Sequence, residues 1–165
     1  MDEATFWRLI DETRAAGGDE QQAAALEARL RAGGLDDVVG FGRMMDRCLD
    51  ALYTWDLWAV AYLVQGGCSD DGFEYFRCWV IASGRDAFTL ASTDPVAFGS
   101  GIDPDGDEED REREALLYVA GRVHEELTGE YGPPRETPHP AEPAGEPWDE
   151  DDLDARYPDL ARRWS

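Results

Sequence analysis

The chain has 165 residues, 42% of them hydrophobic, which is enough for one folded domain with its own core and a tail. Its 15 Lys+Arg against 37 Asp+Glu leave a formal net charge of -22 at pH 7. That balance argues against direct binding to nucleic acid or to an anionic membrane, because both present phosphate, and it directs attraction toward cations or a basic partner.

Every basic residue is arginine, and neither lysine nor asparagine occurs, as expected from the codon bias of a GC-rich genome. Phe6, Leu9, Ile10 and Thr13 recur at helical steps beside Trp7 and predict a first helix ending at Gly17-Gly18. Asp19 is placed to cap a second helix through Ala23, Leu26 and Leu30 to Gly33-Gly34, and the two helices are expected to form a hairpin. From Asp36, the residues Phe41, Met45, Cys48, Leu52, Trp55, Ala59 and Tyr62 alternate steps of four and three, predicting one long helix to about Val64.

Gly66-Gly67 separates that helix from the central stretch, Ser69 to Gly84. Ser69 is a good N-cap, Asp70 and Asp71 put negative charge at the positive end of the helix dipole, and Phe73, Phe76 and Val80 share a buried face. Arg77 lies at the edge of that face, where a guanidinium needs carboxylate partners. A short helix over 85–91 and a capped turn at Thr93-Asp94-Pro95 follow. The acidic run 103–110 leads into a helix with Leu116, Val119, Val123 and Leu127 on one side, ended by Gly129 and Pro133-Pro134. Residues 132–147 read as an extended proline-rich linker with few contacts. Leu153, Tyr157, Leu160 and Trp164 then predict two short helices around Pro158, docking on the body. No strand pattern survives. The expected class is all-α, with a helical domain over 1–131, the linker, and a C-terminal helical segment over 148–165.

Asp103, Asp105, Asp107 and Glu114 match the first, third, fifth and twelfth positions of an EF-hand loop. Glu108, however, stands where the turn requires glycine, and Asp110 where an apolar residue is usual, so no calcium site is expected. Cys48, Cys68 and Cys78 lack metal-type spacing and read as reduced, buried thiols. His124 and His139 have no second histidine at ligand distance, so no metal and no cofactor is expected. The opening Met1-Asp2-Glu3 is acidic where a secretion signal would be basic, and no apolar run spans a membrane, which together predict a cytosolic protein.

The candidate ligand-binding residues are Trp55, Tyr62, Asp70, Asp71, Arg77 and Glu114. Asp70, Asp71, Arg77 and Glu114 are expected first to form a buried ion network. Trp55, Tyr62, Asp71 and Arg77 are also placed to line a cleft between the long and central helices.

At Ser69-Asp70-Asp71-Gly72-Phe73-Glu74-Tyr75-Phe76-Arg77-Cys78-Trp79-Val80-Ile81 the chain resembles the bacterial family catalogued as domain of unknown function 4240, common in actinobacteria. Phe6-Trp7-Arg8-Leu9-Ile10, Asp94-Pro95, Glu114-Ala115-Leu116-Leu117-Tyr118-Val119-Ala120 and Leu127-Thr128-Gly129 extend the resemblance over most of residues 1–131. It implies a small, mostly helical cytosolic domain and carries over no catalytic residue. With no nucleophile, metal or phosphate motif, the expectation is a non-enzymatic binding or regulatory protein that meets a protein partner through an acidic surface or an aromatic groove. The alternative is an enzyme or small-molecule binder using the cleft.

Overall fold

The protein is described by a computed structural model that covers residues 1–106 and 111–165. Among these residues every regular element is helical, and β pairing is confined to an isolated bridge between Thr54 and Ala144. The fold is all-α. No helix among the described residues is long and apolar enough to cross a membrane.

Helix α1 (Glu3–Arg14) starts where the Asp2 side chain accepts from the Thr5 amide at 2.8 Å, and it buries Phe6, Trp7, Leu9, Ile10 and Thr13. It packs on α2 (Asp19–Gly33). Asp19 does not cap α2, whose N-cap is Gly18. Its carboxylate instead accepts from the amides of Ala115 (2.7 Å) and Leu116 (3.3 Å), at the start of α8 (Glu114–Leu117). First-turn amides have no partner inside their own helix, and a carboxylate from a distant segment satisfies them as well as a local cap does.

The long helix expected over 36–64 is two helices, α3 (Leu35–Ala51) and α4 (Trp55–Gln65). Thr54 is extended (φ -131, ψ 147), and its side chain caps α4 by accepting from the Leu57 amide. The apolar stripe survives the break, with Phe41, Met45, Cys48, Leu52 and Ala59 all buried. Pattern alone could not expose it, because the register of buried residues is kept while the backbone turns.

Central helix α5 (Asp70–Ala82) is capped by Ser69 as expected, the hydroxyl accepting from Gly72 N at 3.2 Å. At its other end Arg14 donates to the Ser83 carbonyl and Gln22 Nε2 to the Ala82 carbonyl at 3.4 Å, so α1 and α2 supply partners for the last turn. Next come α6 (Arg85–Thr93) and α7 (Pro95–Gly101), the second capped by Asp94 through the Ala97 amide. Gly99 lies against α4 so closely that an added Cβ would meet Val60 Cγ1 at 2.6 Å. After α8, Tyr118 interrupts the helix and α9 (Val119–Thr128) ends at Gly129 with φ +81.

The proline-rich stretch forms no regular helix, and it carries more contacts than its composition suggests. Arg135 pairs with Asp46 and Asp50 at 2.7 Å each, and His139 Nδ1 donates to Asp50 at 2.9 Å. Trp55 N donates to the Ala144 carbonyl and Ala144 N to the Tyr53 carbonyl, both at 2.9 Å. A 3-10 turn at Glu150–Asp152 leads to α10 (Leu153–Arg156) and α11 (Pro158–Arg163), with Leu153 and Leu160 buried and α11 packed on α4 and α7.

Replacing the distant cap, Asp19→Ala, is expected to lower stability by about 1 kcal/mol, read by chemical denaturation, although the residue lies outside the helix it serves. A chain lacking residues 136–165 is expected to keep its helical circular dichroism but to melt roughly 5 to 10 °C lower, because two buried leucines and the docked segment are lost. An unchanged melting temperature would mean that docking contributes nothing.

Candidate functional site

Arg77 projects from the middle of α5 and is only 3% exposed. Its Nη1 donates to the carbonyl of Leu49 at 2.9 Å and its Nε to that of Phe73 at 3.4 Å. The guanidinium carbon lies 4.8 Å from the centre of the Tyr53 ring and 4.9 Å from that of Phe73. The expected ion network does not form: neither Asp70, Asp71 nor Glu114 reaches Arg77, which has no ion pair with any described residue. The charge is held instead by the carbonyl end of α3, where the helix dipole is negative, and by two ring faces. Burial pulls its pKa below the ordinary arginine value, and the charge of Glu74 is the strongest influence holding it up.

Above Arg77 lies a cavity of about 210 Å³ lined by Tyr53, Trp58, Asp70, Asp71, Glu74, Arg77 and His139. Asp70 and Glu74 stand one helical turn apart on α5 and Arg77 follows on the same side, so a single helix face supplies both signs of charge. Asp70, Asp71 and Glu74 make no hydrogen bond or ion pair with any described residue. Trp58 is fixed by its Nε1, which donates to the Cys68 carbonyl at 3.1 Å, and it stacks on Phe73 with ring centres 5.0 Å apart. The His139 ring closes the site against Tyr53 at 4.9 Å.

The six candidate residues therefore divide into three places. Asp70, Asp71 and Arg77 share the cavity. Trp55 and Tyr62 belong to an adjoining aromatic cluster, in which Trp55 stacks on Trp58 at 5.5 Å and the tail's Trp148 sets its edge against Trp55, Trp58 and Tyr62. Trp148 Nε1 also donates to the Trp55 carbonyl at 2.7 Å, so the chain's own tail covers this part of the expected groove. Glu114 is elsewhere, accepting from the Tyr75 hydroxyl at 3.3 Å beside Asp19 and Arg122.

Tyr53, Glu74 and His139 were not among the expected site residues, whereas Trp58 was read with Trp55 and Tyr62 as lining either the core or a shallow pocket. Glu74 was accessible from helical spacing between Asp70 and Arg77, whereas His139 arrives from a segment without periodicity. In the acidic loop, Asp103 accepts from the Asp105 amide at 3.1 Å, while Asp107, Glu108 and Asp110 of the calcium comparison lie outside the described residues. The thiols are poor nucleophiles: burial pushes Cys48 and Cys68 up to about 12 and raises Cys78 as well. A larger cavity of about 530 Å³ is lined mainly by Trp79, Leu90, Phe98 and Ile102, with Gly106 and Arg111 at its border.

The model of the family described as "Protein of unknown function (DUF4240)" matches residues 1–126. The chain belongs to this family. No curated protein and no solved structure matches it. Within the chain, the family match contains every cavity residue from Tyr53 to Arg77, while His139 and Trp148 come from the segment beyond it.

Because Arg77 is held by carbonyls and rings, Arg77→Ala is expected to cost about 3 kcal/mol, through the Leu49 carbonyl left without its donor and the lost cation between the rings. A double-mutant cycle with Glu114→Gln, measured by denaturant unfolding, is expected to show coupling below about 0.5 kcal/mol. Coupling of about 2 kcal/mol would mean that the two residues do interact.

Proposed function

We propose that this member of the DUF4240 family is a non-enzymatic binding or regulatory protein of the cytosol, whose partner is a protein with a basic docking segment. The observation that carries this reading is the trio Asp70, Asp71 and Glu74, unpaired beside the Trp58 indole. Exposed Asp149, Glu150, Asp151 and Asp152 follow Trp148 directly, so acidic groups accompany the aromatic cluster there as well. Carboxylates speed the approach of a basic chain and fix its register. The cytosolic assignment is supported by three free cysteines, which suit a reducing compartment.

Affinity capture from the native host, with the variant D70N/D71N/E74Q in parallel, tests the reading. A basic protein retained at low salt, released as ionic strength rises, and absent from the variant's eluate is the expected result. A partner retained equally by the variant, or none enriched over it, removes the assignment.

A further inference from the structure

A buried guanidinium without a carboxylate and three carboxylates without a cation line the same small cavity, yet they do not pair with one another. Helix neighbours three apart, such as Glu74 and Arg77, have Cβ atoms about 5–6 Å apart, which is close enough for their side chains to meet. Arg77 instead donates Nη1 to the Leu49 carbonyl and lies between the Tyr53 and Phe73 rings while still lining the cavity. Of its nitrogens, Nη2 has no hydrogen bond to any described residue. Arg77 and the three carboxylates thus line one space of about 210 Å³ without an ion pair between them.

We propose that this cavity binds a small dipolar molecule, a free α-amino acid, with its carboxylate on the Arg77 guanidinium and its ammonium among Asp70, Asp71 and Glu74. The ligand class follows by elimination on charge and size. A simple anion would be attracted to Arg77 but repelled by three carboxylates at the rim. A simple cation would find the carboxylates but lie against a guanidinium already short of water. A ligand with both charges a few ångströms apart satisfies both ends. Arg77 has been stripped of water by folding, so its attraction for a carboxylate is stronger than that of a surface arginine. The volume lies below the roughly 300–1,000 Å³ of sites for drug-sized ligands, which limits the occupant to something small.

The site does not depend on the proposed partner protein, although the two share the acidic rim. Isothermal titration of the full chain with glycine, alanine, serine and glutamine tests it, with acetate, methylammonium and N-acetylglycine as single-charge controls. At least one amino acid is expected to bind one-to-one more tightly than about 1 mM, while no control saturates. D71N/E74Q, two changes at positions not fully buried, is expected to weaken binding tenfold or more with the melting temperature unchanged. Arg77→Lys, which keeps the charge but loses the free Nη2 donor, is expected to weaken it comparably while leaving capture of a basic partner intact, so the two readings fail separately. The proposal is overturned if no amino acid saturates, if acetate or N-acetylglycine binds as well as the amino acid, or if binding is undiminished in D71N/E74Q.

Discussion

The turn of the chain at Leu52, Tyr53 and Thr54 is the constraint on which the rest of the site depends. Leu52 stays fully buried, so the break adds no hole to the core. Tyr53 is freed from helical geometry, and its ring covers Arg77 on one side and meets His139 on the other. The same break leaves the Tyr53 carbonyl and the Trp55 amide outside any helix ladder, and Ala144 satisfies both. Cavity wall, cation clamp and tail docking thus follow from a change of backbone direction over three residues.

Charge is distributed unevenly around that turn. Many arginines are committed to ion pairs that tie distant segments together: Arg43 and Arg47 to Glu136, Arg135 to Asp46 and Asp50, Arg31 to Glu126, and Arg156 to Asp56. Such exposed pairs contribute little individually, about 0–1 kcal/mol, but four of these arginines share one task, holding the segment beyond residue 130 against α3 and α4. With far more carboxylates than arginines, many acids are left to solvent, where mutual repulsion favours solubility over compactness. Arg77 is the exception. It is the one arginine placed inside α5, and the structure surrounds it with carbonyls and rings rather than acids.

The candidate site was legible in proportion to how local it was. Asp70, Asp71 and Arg77 lie on one helix with a strong cap and clear amphipathicity, and the cavity contains all three. The error concerned Arg77's partners. Charge complementarity in a sequence says which residues attract, whereas which ones meet depends on side-chain direction and distance, and Glu114 faces Tyr75 across a different part of α5. Trp55 and Tyr62 read from the sequence as lining either the core or a shallow pocket, but their neighbour Trp148 lies more than eighty residues on and follows no shared periodicity.

By itself the sequence determined the helical class, the positions of most helices, the Ser69 and Asp94 caps and the buried stripe through Phe41, Met45, Cys48 and Leu52, because these rest on interactions within a turn or two of the chain. Only the tertiary structure decided that α3 and α4 are separate, that Asp19 serves α8, that Arg77 is clamped without an acid, and that the tail supplies His139 and Trp148. The physical reason is common to all four. An unpaired amide, carbonyl or ring accepts any partner of suitable chemistry that the packing brings within reach, and nothing in the spacing of a linear chain specifies which segment arrives.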